Sequence, residues 1–250
     1  AIQEGMATGP EDRFVSWAPL FHDMGLIGGL LQPLYCGASL VLVSPRYFLE
    51  RPARWLELVS RYRGTVSGGP DFSYRLCLER ISDAQAQGLD LSHWRVAYSG
   101  AEPVRADTMS AFAERFAAQG FRAGAVHACY GLAEATLYVT GVRPGQGLWA
   151  RGFSAQALAV GAAEPGDAGT GPLLVGCGGP ASGHAVQIMD VASLAPADAG
   201  CVGEVWASGP SVAAGYWGQP EATAATFVEH GGRRWLRTGE LADAPTMRGV

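Results

Sequence analysis

The sequence predicts an α/β fold: a mostly parallel sheet flanked by helices, followed by a small β-rich subdomain of distorted-barrel type. Three observations carry this expectation. Over residues 1–142, short apolar runs bounded by Gly and Pro alternate with stretches whose apolar residues recur at helical spacing, the pattern of βαβ units. Residues 143–172 turn rich in Gly, Pro and Ala and read as an insertion or linker. Over residues 173–250, short strand-like runs are separated by Gly and Pro turns, which predicts the β-rich part.

Taken in order, residues 13–17 read as a strand stopped by Pro19. Residues 24–43 contain no charge and are long enough to span a bilayer. Gln32 and Pro33 interrupt them, Gly37 follows and Asp23 abuts their start, so the reading is a buried helix over 24–35, a turn at Cys36-Gly37 and a buried strand over 39–43. No membrane span is expected. Pro52 opens a helix that continues over 53–61. Residues 65–67 form a strand running into Gly68-Gly69-Pro70, and Asp71 is placed to cap a helix reaching about Glu79. A strand over 96–99 ends in Gly100. The helix over 106–119 carries Phe112 and Phe116 four apart and stops at Gly120. Residues 125–129 are a buried strand, and a short helix is expected near 155–160 in the insertion. Beyond it, strands are expected at 173–175, 185–189, 204–206 and 235–237, with a helix over 220–227.

Composition bounds the function. Of 250 residues, 48% are hydrophobic and 16% charged, so much of the chain should be buried. A net charge of −5 with no long basic run argues against nucleic acid as a partner. Cys36, Cys77, Cys129, Cys177 and Cys201 are scattered, odd in number and free of any CxxC pair, which indicates neither a disulfide framework nor a zinc site. They read as small core residues in a reducing, cytoplasmic setting, and no signal peptide opens the chain.

Ligands of parallel sheets bind beyond the strands' carboxyl ends. Four loops are expected there: His22-Asp23, Gly68-Gly69-Pro70, Gly100-Ala101-Glu102-Pro103 and Tyr130-Gly131-Leu132-Ala133-Glu134-Ala135-Thr136. The last has the residue types that nucleotide chemistry needs. An aromatic ring stacks on a base, a glycine admits close backbone approach, and an isolated carboxylate holds the magnesium that accompanies ATP phosphates. An ordinary strand-to-loop turn produces the same pattern, so the motif alone does not decide.

Six segments together carry a resemblance. SWAPLFHDMGLIGG (16–29), SGGPDFSYRLC (67–77), SGAEPVR (99–105), YGLAEAT (130–136), GYWGQPEATAATF (215–227) and WLRTGEL (235–241) resemble, in order, the central part of an adenylate-forming enzyme of the acyl-activating superfamily. Within it the chain is most similar to the fatty acyl-AMP ligases. Ala133-Glu134-Ala135 resembles the ligase form of a motif in which acyl-CoA synthetases usually carry threonine before the glutamate. The stretch from about Arg143 to Leu174 resembles the ligases' insertion, which is held to hinder the motion needed for CoA-dependent thioester formation.

The resemblance implies that a fatty acid carboxylate attacks the α-phosphorus of ATP, giving acyl-AMP and pyrophosphate. The acyl group then passes to the phosphopantetheine arm of an acyl carrier protein, for lipid, polyketide or lipopeptide synthesis. It implies adenine stacking at Tyr130 and a magnesium ligand at Glu134. The nucleotide pocket is expected from Ser99, Gly100, Ala101, Glu102 and Pro103, with Gly131, Ala133 and Thr136 beside Tyr130 and with Glu240 at the ribose. His22 is expected near the reacting carboxylate and phosphate, where a donor steadies developing charge; Asp23 reads as a helix cap. Thr136 either donates to a phosphate or caps its loop. Gly68, Gly69 and Phe72 are expected along the acyl tunnel.

Several residues depart from the family. Asp71 stands where asparagine is expected, and Glu240 stands where the family's aspartate holds the ribose hydroxyls, adding a methylene to a fitted contact. Residues 242–250 show no glycine-rich continuation toward the family's hinge. The family's phosphate-binding loop is expected before Ala1, and its small domain with a catalytic lysine after Leu241; all eighteen basic residues here are arginines. These 250 residues by themselves are therefore expected to be nearly inactive. An acyl-CoA synthetase, an amino-acid-adenylating domain or a non-catalytic binding module are the alternatives.

Overall fold

The computed structural model describes residues 1–166 and 171–243. Strands β1 (Arg13–Ser16), β2 (Ser39–Leu42), β3 (Val66–Gly68), β4 (Val96–Ser99) and β5 (Val126–Leu132) form a parallel array, extended by antiparallel β6 (Leu137–Gly141). After β7 (Ala150–Gly152) and β8 (Leu173–Val175), which pair antiparallel with each other, β9 (Gly179–Pro180) closes the large sheet in the order β2-β1-β3-β4-β5-β6-β9. A second, antiparallel sheet follows, made of β10 (Ala185–Met189), β11 (Val202–Ser208), β12 (Phe227–His230) and β13 (Arg233–Asp243) in the order β10-β11-β13-β12. This is the expected α/β architecture with its β-rich second part.

Alternation along the parallel strands feeds two apolar layers. Val15 and Ala97 face a cluster with Trp17, Phe48, Trp55, Leu56, Tyr74, Trp94, Phe112 and Phe116. Phe14, Val66 and Val96 face the opposite layer with Ile2, Met6, Met24, Tyr98 and Tyr138. The large rings bring polar atoms inside, and several find partners there: Trp55 Nε1 donates to Ser67 Oγ (2.8 Å), Ser67 Oγ to the Val15 carbonyl (2.6 Å) and Tyr74 to the Tyr98 carbonyl (2.8 Å). A third cluster, with Ala135, Val139, Ala207, Phe227 and Leu236, packs β6 against the second sheet.

Three expectations need correction. The uncharged stretch forms a π-helix, Met24–Leu31, running into an α-helical turn, Gln32–Cys36, but it is not buried all round. It lies on the sheet by Met24, Gly25, Gly29 and Gln32, while Leu34 and Tyr35 are 65% and 77% exposed. Gly29 permits the approach, since a Cβ there would stand 2.3 Å from Ser16 Oγ. The strand after it is a half-exposed sheet edge, because β2 has a neighbour only in β1. Asp71 does not cap its own helix, Asp71–Arg80, in which it is the first residue. Its carboxylate accepts the Arg105 N–H (2.9 Å) and the Thr108 hydroxyl (3.0 Å), so it caps the helix Ala106–Arg115 instead. The helix Pro45–Glu50, capped by Ser44, and the strands β6, β7, β9 and β12 are additions to the sequence reading. The expected departure over 242–250 falls largely on residues 244–250, outside the described residues. No helix among the described residues is long and apolar enough to cross a membrane.

Asp12 ties the amino-terminal segment to the sheet. It accepts Thr65 Oγ1 (2.6 Å), the Gly9 N–H (2.9 Å) and Arg95 Nη2 at 2.8 and 2.9 Å. Burial raises its pKa, but the hydrogen bonds from Thr65, Arg95 and Gly9 and the guanidinium charge outweigh burial and hold the carboxyl below its ordinary 3.8. The stabilisation is therefore complete above 3.8 and is lost as pH falls through the lower folded value. Asp12→Asn should cost about 1.5–3 kcal/mol at pH 7. Urea unfolding of the two proteins should converge at strongly acidic pH; a constant gap down to acid would refute the linkage.

Candidate functional site

The turn after β5 is shaped by a hairpin that only glycine allows. β5 and β6 pair antiparallel with an irregularity between Tyr130 and Gly131, and a Cβ at Gly131 would lie 1.4 Å from the Leu137 carbonyl oxygen. Residues Ala133–Ala135 make a single 3-10 turn, after which Thr136 (φ 52°) and Leu137 (φ 80°) both take left-handed backbone conformations. Such residues cost about 1–3 kcal/mol each and persist where surroundings over-determine them. Ala101 (φ 65°) in the loop after β4 is a third.

Three cavities meet around these loops. One of about 390 Å³ is mostly apolar, bounded by Ile2, Met6, Met24, Leu137 and Tyr138, with His22, Gly100, Ala101, Gly131 and Ala133 on its wall. A second, of about 680 Å³, is lined by Ala101, Glu102, Pro103, Tyr130, Gly131, Cys177 and Glu240. The two share Ala101, Cys129, Tyr130 and Gly131. The third, about 350 Å³, joins the first at Leu132 and holds Glu134, Tyr216, Arg237, Thr238 and Gly239.

The structure thus brings together His22, Gly100, Ala101, Glu102, Pro103, Tyr130, Gly131, Ala133, Glu134 and Glu240. His22 Nδ1 lies 2.7 Å from Asp23 Oδ1, which also takes the Met24 N–H at 2.7 Å, so Asp23 caps the π-helix and orients the imidazole. Glu102 accepts the Phe72 N–H (2.6 Å), bracing the loop after β4 against the start of the helix Asp71–Arg80. Five expected residues lie elsewhere. Ser99 is buried and its hydroxyl has no partner among the described residues. Thr136 Oγ1 donates to the Ser211 carbonyl (2.7 Å) and lines none of the three cavities, which favours the loop-capping role. Gly68 is covered by Tyr98, Gly69 by Trp17, and Phe72 packs edge-on to Trp17 with centroids 6.2 Å apart; none of the three lines the cavities.

Electrostatics keeps the shared wall neutral. Burial raises the Tyr130 hydroxyl and the Glu240 carboxylate adds to the rise, so the phenol stays protonated. Burial, with Glu240 adding, pushes the Cys177 thiol up to about 11. Burial, with Cys177 adding, raises the Cys129 thiol as well.

The donor set around Glu134 bears on a metal. No group of three metal-ligating side chains occurs among the described residues. A single carboxylate fits magnesium, which keeps several waters and takes one or two carboxylates alongside substrate phosphates. Residues that the sequence reading missed are Tyr216, Ser211, His184 and Glu204. Tyr216 lies within the quoted segment over 215–227, which was the available signal; the other three carry none. Glu204 accepts Arg237 Nη2 (3.0 Å), Trp206 Nε1 (3.0 Å) and the Gly239 N–H (3.1 Å), fixing the turn that presents Glu240.

A parallel sheet whose carboxyl-end loops face a second sheet across paired cavities defines a nucleotide-binding enzyme fold. The chain belongs to the AMP-binding enzyme family, whose sequence profile matches residues 1–217. It is 39% identical to the medium-chain-fatty-acid–[acyl-carrier-protein] ligase TtuA of Teredinibacter turnerae, over 96% of this chain and 39% of the relative. It is 41% identical to the ligase JamA of Moorena producens, described in the same terms, over 96% of this chain and 42% of the relative. The fatty acyl-adenylate ligase from L. pneumophila, solved in complex with acyl adenylate and pyrophosphate, superimposes with a TM-score of 0.93 at 40% identity, over 97% of this chain and 43% of that one. The chain spans about two fifths of the length of these relatives.

Proposed function

We propose that the whole protein carrying this chain is a fatty acyl-AMP ligase, joining a fatty acid and ATP into acyl-AMP and pyrophosphate. The observation that carries this is the pair of mostly apolar cavities meeting at Tyr130-Gly131, one with His22 on its wall and one bordered by Glu240. The smaller cavity suits an acyl chain, entering past His22. The larger suits the nucleoside, with Tyr130 against adenine and Glu240 reaching for the ribose. Gly68 lies behind Tyr98, which lines the smaller cavity, whereas Gly69 and Phe72 pack on Trp17, away from it. In this reading residues 1–142, 143–172 and 173–250 keep the sequence-derived boundaries. The relatives' carrier-protein specificity supports a phosphopantetheine thiol as acyl acceptor, and five unpaired cysteines support a reducing cytoplasm.

The chemistry follows from this placement. A carboxylate oxygen of the fatty acid attacks the α-phosphorus, and the bond from that phosphorus to the bridging oxygen of pyrophosphate breaks. Positioning and charge stabilisation do most of the work. Glu134 would hold magnesium, which when bound neutralises phosphate charge. His22, whose Nδ1 lies against Asp23 and the Met24 N–H, keeps Nε2 for the reacting oxygens. The buried, protonated thiols and phenol on the shared wall offer no competing nucleophile. Incubated with ATP and a fatty acid, the whole protein should release pyrophosphate only when the acid is present, and should acylate a holo-carrier protein but not CoA. Release independent of fatty acid would overturn the reading; acyl-CoA as the main product would overturn its second half.

A further inference from the structure

The turn bearing Glu134 is held from outside. Residues 211–216, which connect β11 to the helix Pro220–Thr226, wrap it with four hydrogen bonds. Thr136 Oγ1 donates to the Ser211 carbonyl (2.7 Å), Ser211 Oγ to the Ala135 carbonyl (2.8 Å), the Ala213 N–H to the Glu134 carbonyl (2.7 Å) and the Tyr216 hydroxyl to Glu134 Oε1 (2.7 Å). His184 backs this grip: its Nε2 lies 2.6 Å from Ser211 Oγ and its Nδ1 3.0 Å from the Ser182 carbonyl.

Tyr216 is itself fixed. Its N–H donates to Thr223 Oγ1 (2.9 Å), and its ring stands edge-on to Phe227 at 5.6 Å. The hydroxyl is aimed at one oxygen of one carboxylate, in the cavity that Glu134 shares with Thr238 and Gly239. A ligating carboxylate steered by an outer hydrogen bond holds its cation in a defined direction.

We propose that Tyr216 and Ser211, backed by His184, are positioning residues for Glu134. Ser211 fixes the turn's backbone, and Tyr216 occupies one carboxylate oxygen so that the other meets the cation on the substrate phosphates. The proposal rests on the reading of Glu134 as the magnesium carboxylate. It also makes residues 211–216 the link through which the second sheet sets the geometry of a loop on the first.

The test uses the whole protein and two readouts: the Mg²⁺ concentration for half-maximal pyrophosphate release, and Mn²⁺ binding in the presence of a non-hydrolysable ATP analogue, followed by electron paramagnetic resonance. Tyr216→Phe should raise the Mg²⁺ requirement and weaken Mn²⁺ binding about tenfold. Metal-free AMP binding and the thermal midpoint should stay unchanged. The double variant Tyr216→Phe/Glu134→Gln should be no worse than Glu134→Gln alone. Ser211→Ala should reproduce the defect and Ser211→Thr, which keeps the hydroxyl, should restore it, giving a second route should Tyr216→Phe fold poorly. If Glu134→Gln is impaired but Tyr216→Phe and Ser211→Ala keep the wild-type metal requirement, or if the double variant's losses add, the positioning role is wrong. If Glu134→Gln itself leaves the metal requirement unchanged, the reading of Glu134 fails first.

Discussion

Glu134→Ala, introduced into the whole protein, should slow acyl-adenylate formation by about 10²–10³-fold, the cost of removing one preorganised stabiliser of transition-state charge. The carboxylate's surroundings explain why nothing replaces it. Glu204, the other acid of its cavity, is already committed to Arg237, Trp206 and the Gly239 N–H. Burial raises the Glu204 pKa, but those hydrogen bonds and the Arg237 charge outweigh it and hold the group ionised and engaged. The loss should therefore fall on the metal-dependent step, with metal-free AMP binding intact, because Tyr130 and Glu240 line a different cavity. Single-turnover formation of acyl-AMP, read beside AMP binding, separates the two. A variant within a few-fold of wild type would remove Glu134 from the mechanism.

Gly131→Ala should be the most damaging small substitution. Its Cβ would lie 1.4 Å from the Leu137 carbonyl oxygen, 2.5 Å from that carbonyl carbon and 3.1 Å from the Tyr138 Cα. All three neighbours are backbone, and Leu137 already sits at φ 80°, so no side chain can swing away to make room. The β5–β6 hairpin must open instead, at about 3 kcal/mol, the upper range for overpacking. Opening it moves Tyr130, beside the irregularity, and Glu134, in the turn that closes the hairpin, together. Urea unfolding should show a lowered midpoint, and adenylation should fall more than stability alone accounts for. A variant with the wild-type midpoint and rate would mean that the hairpin is looser than its geometry requires.

How much was legible varies with the range of the forces involved. The strand Val96–Ser99 and the helix Ala53–Arg61 were read correctly because apolar period and Pro or Gly punctuation are local signals. The short helix Pro45–Glu50 escaped because six residues give periodicity too little length. Strand β6 escaped for a different reason. Its hairpin turns through Thr136 and Leu137 at positive φ, with no Asn-Gly or Asp-Gly to announce it. Asp71 shows the limit of cap reading. The residue type was right for a cap, yet its carboxylate serves a helix more than thirty residues further on.

The candidate site divides along the same line. The residue types by themselves determined the mostly parallel sheet, the β-rich second part, and the loops in which an aromatic, a glycine and an acid stand in nucleotide-binding order. Chain-local chemistry suffices for that, because strand period, turn residues and motif spacing are properties of neighbours in sequence. The tertiary structure alone decided that Ser99 and Thr136 turn away from the cavities, that Tyr98 and Trp17 cover Gly68 and Gly69, and that Glu134 is gripped by Ser211 and Tyr216, 77 and 82 positions further along the chain. Those outcomes depend on packing one sheet against another. Contact between residues so far apart follows from how buried surfaces fit, which no local pattern encodes.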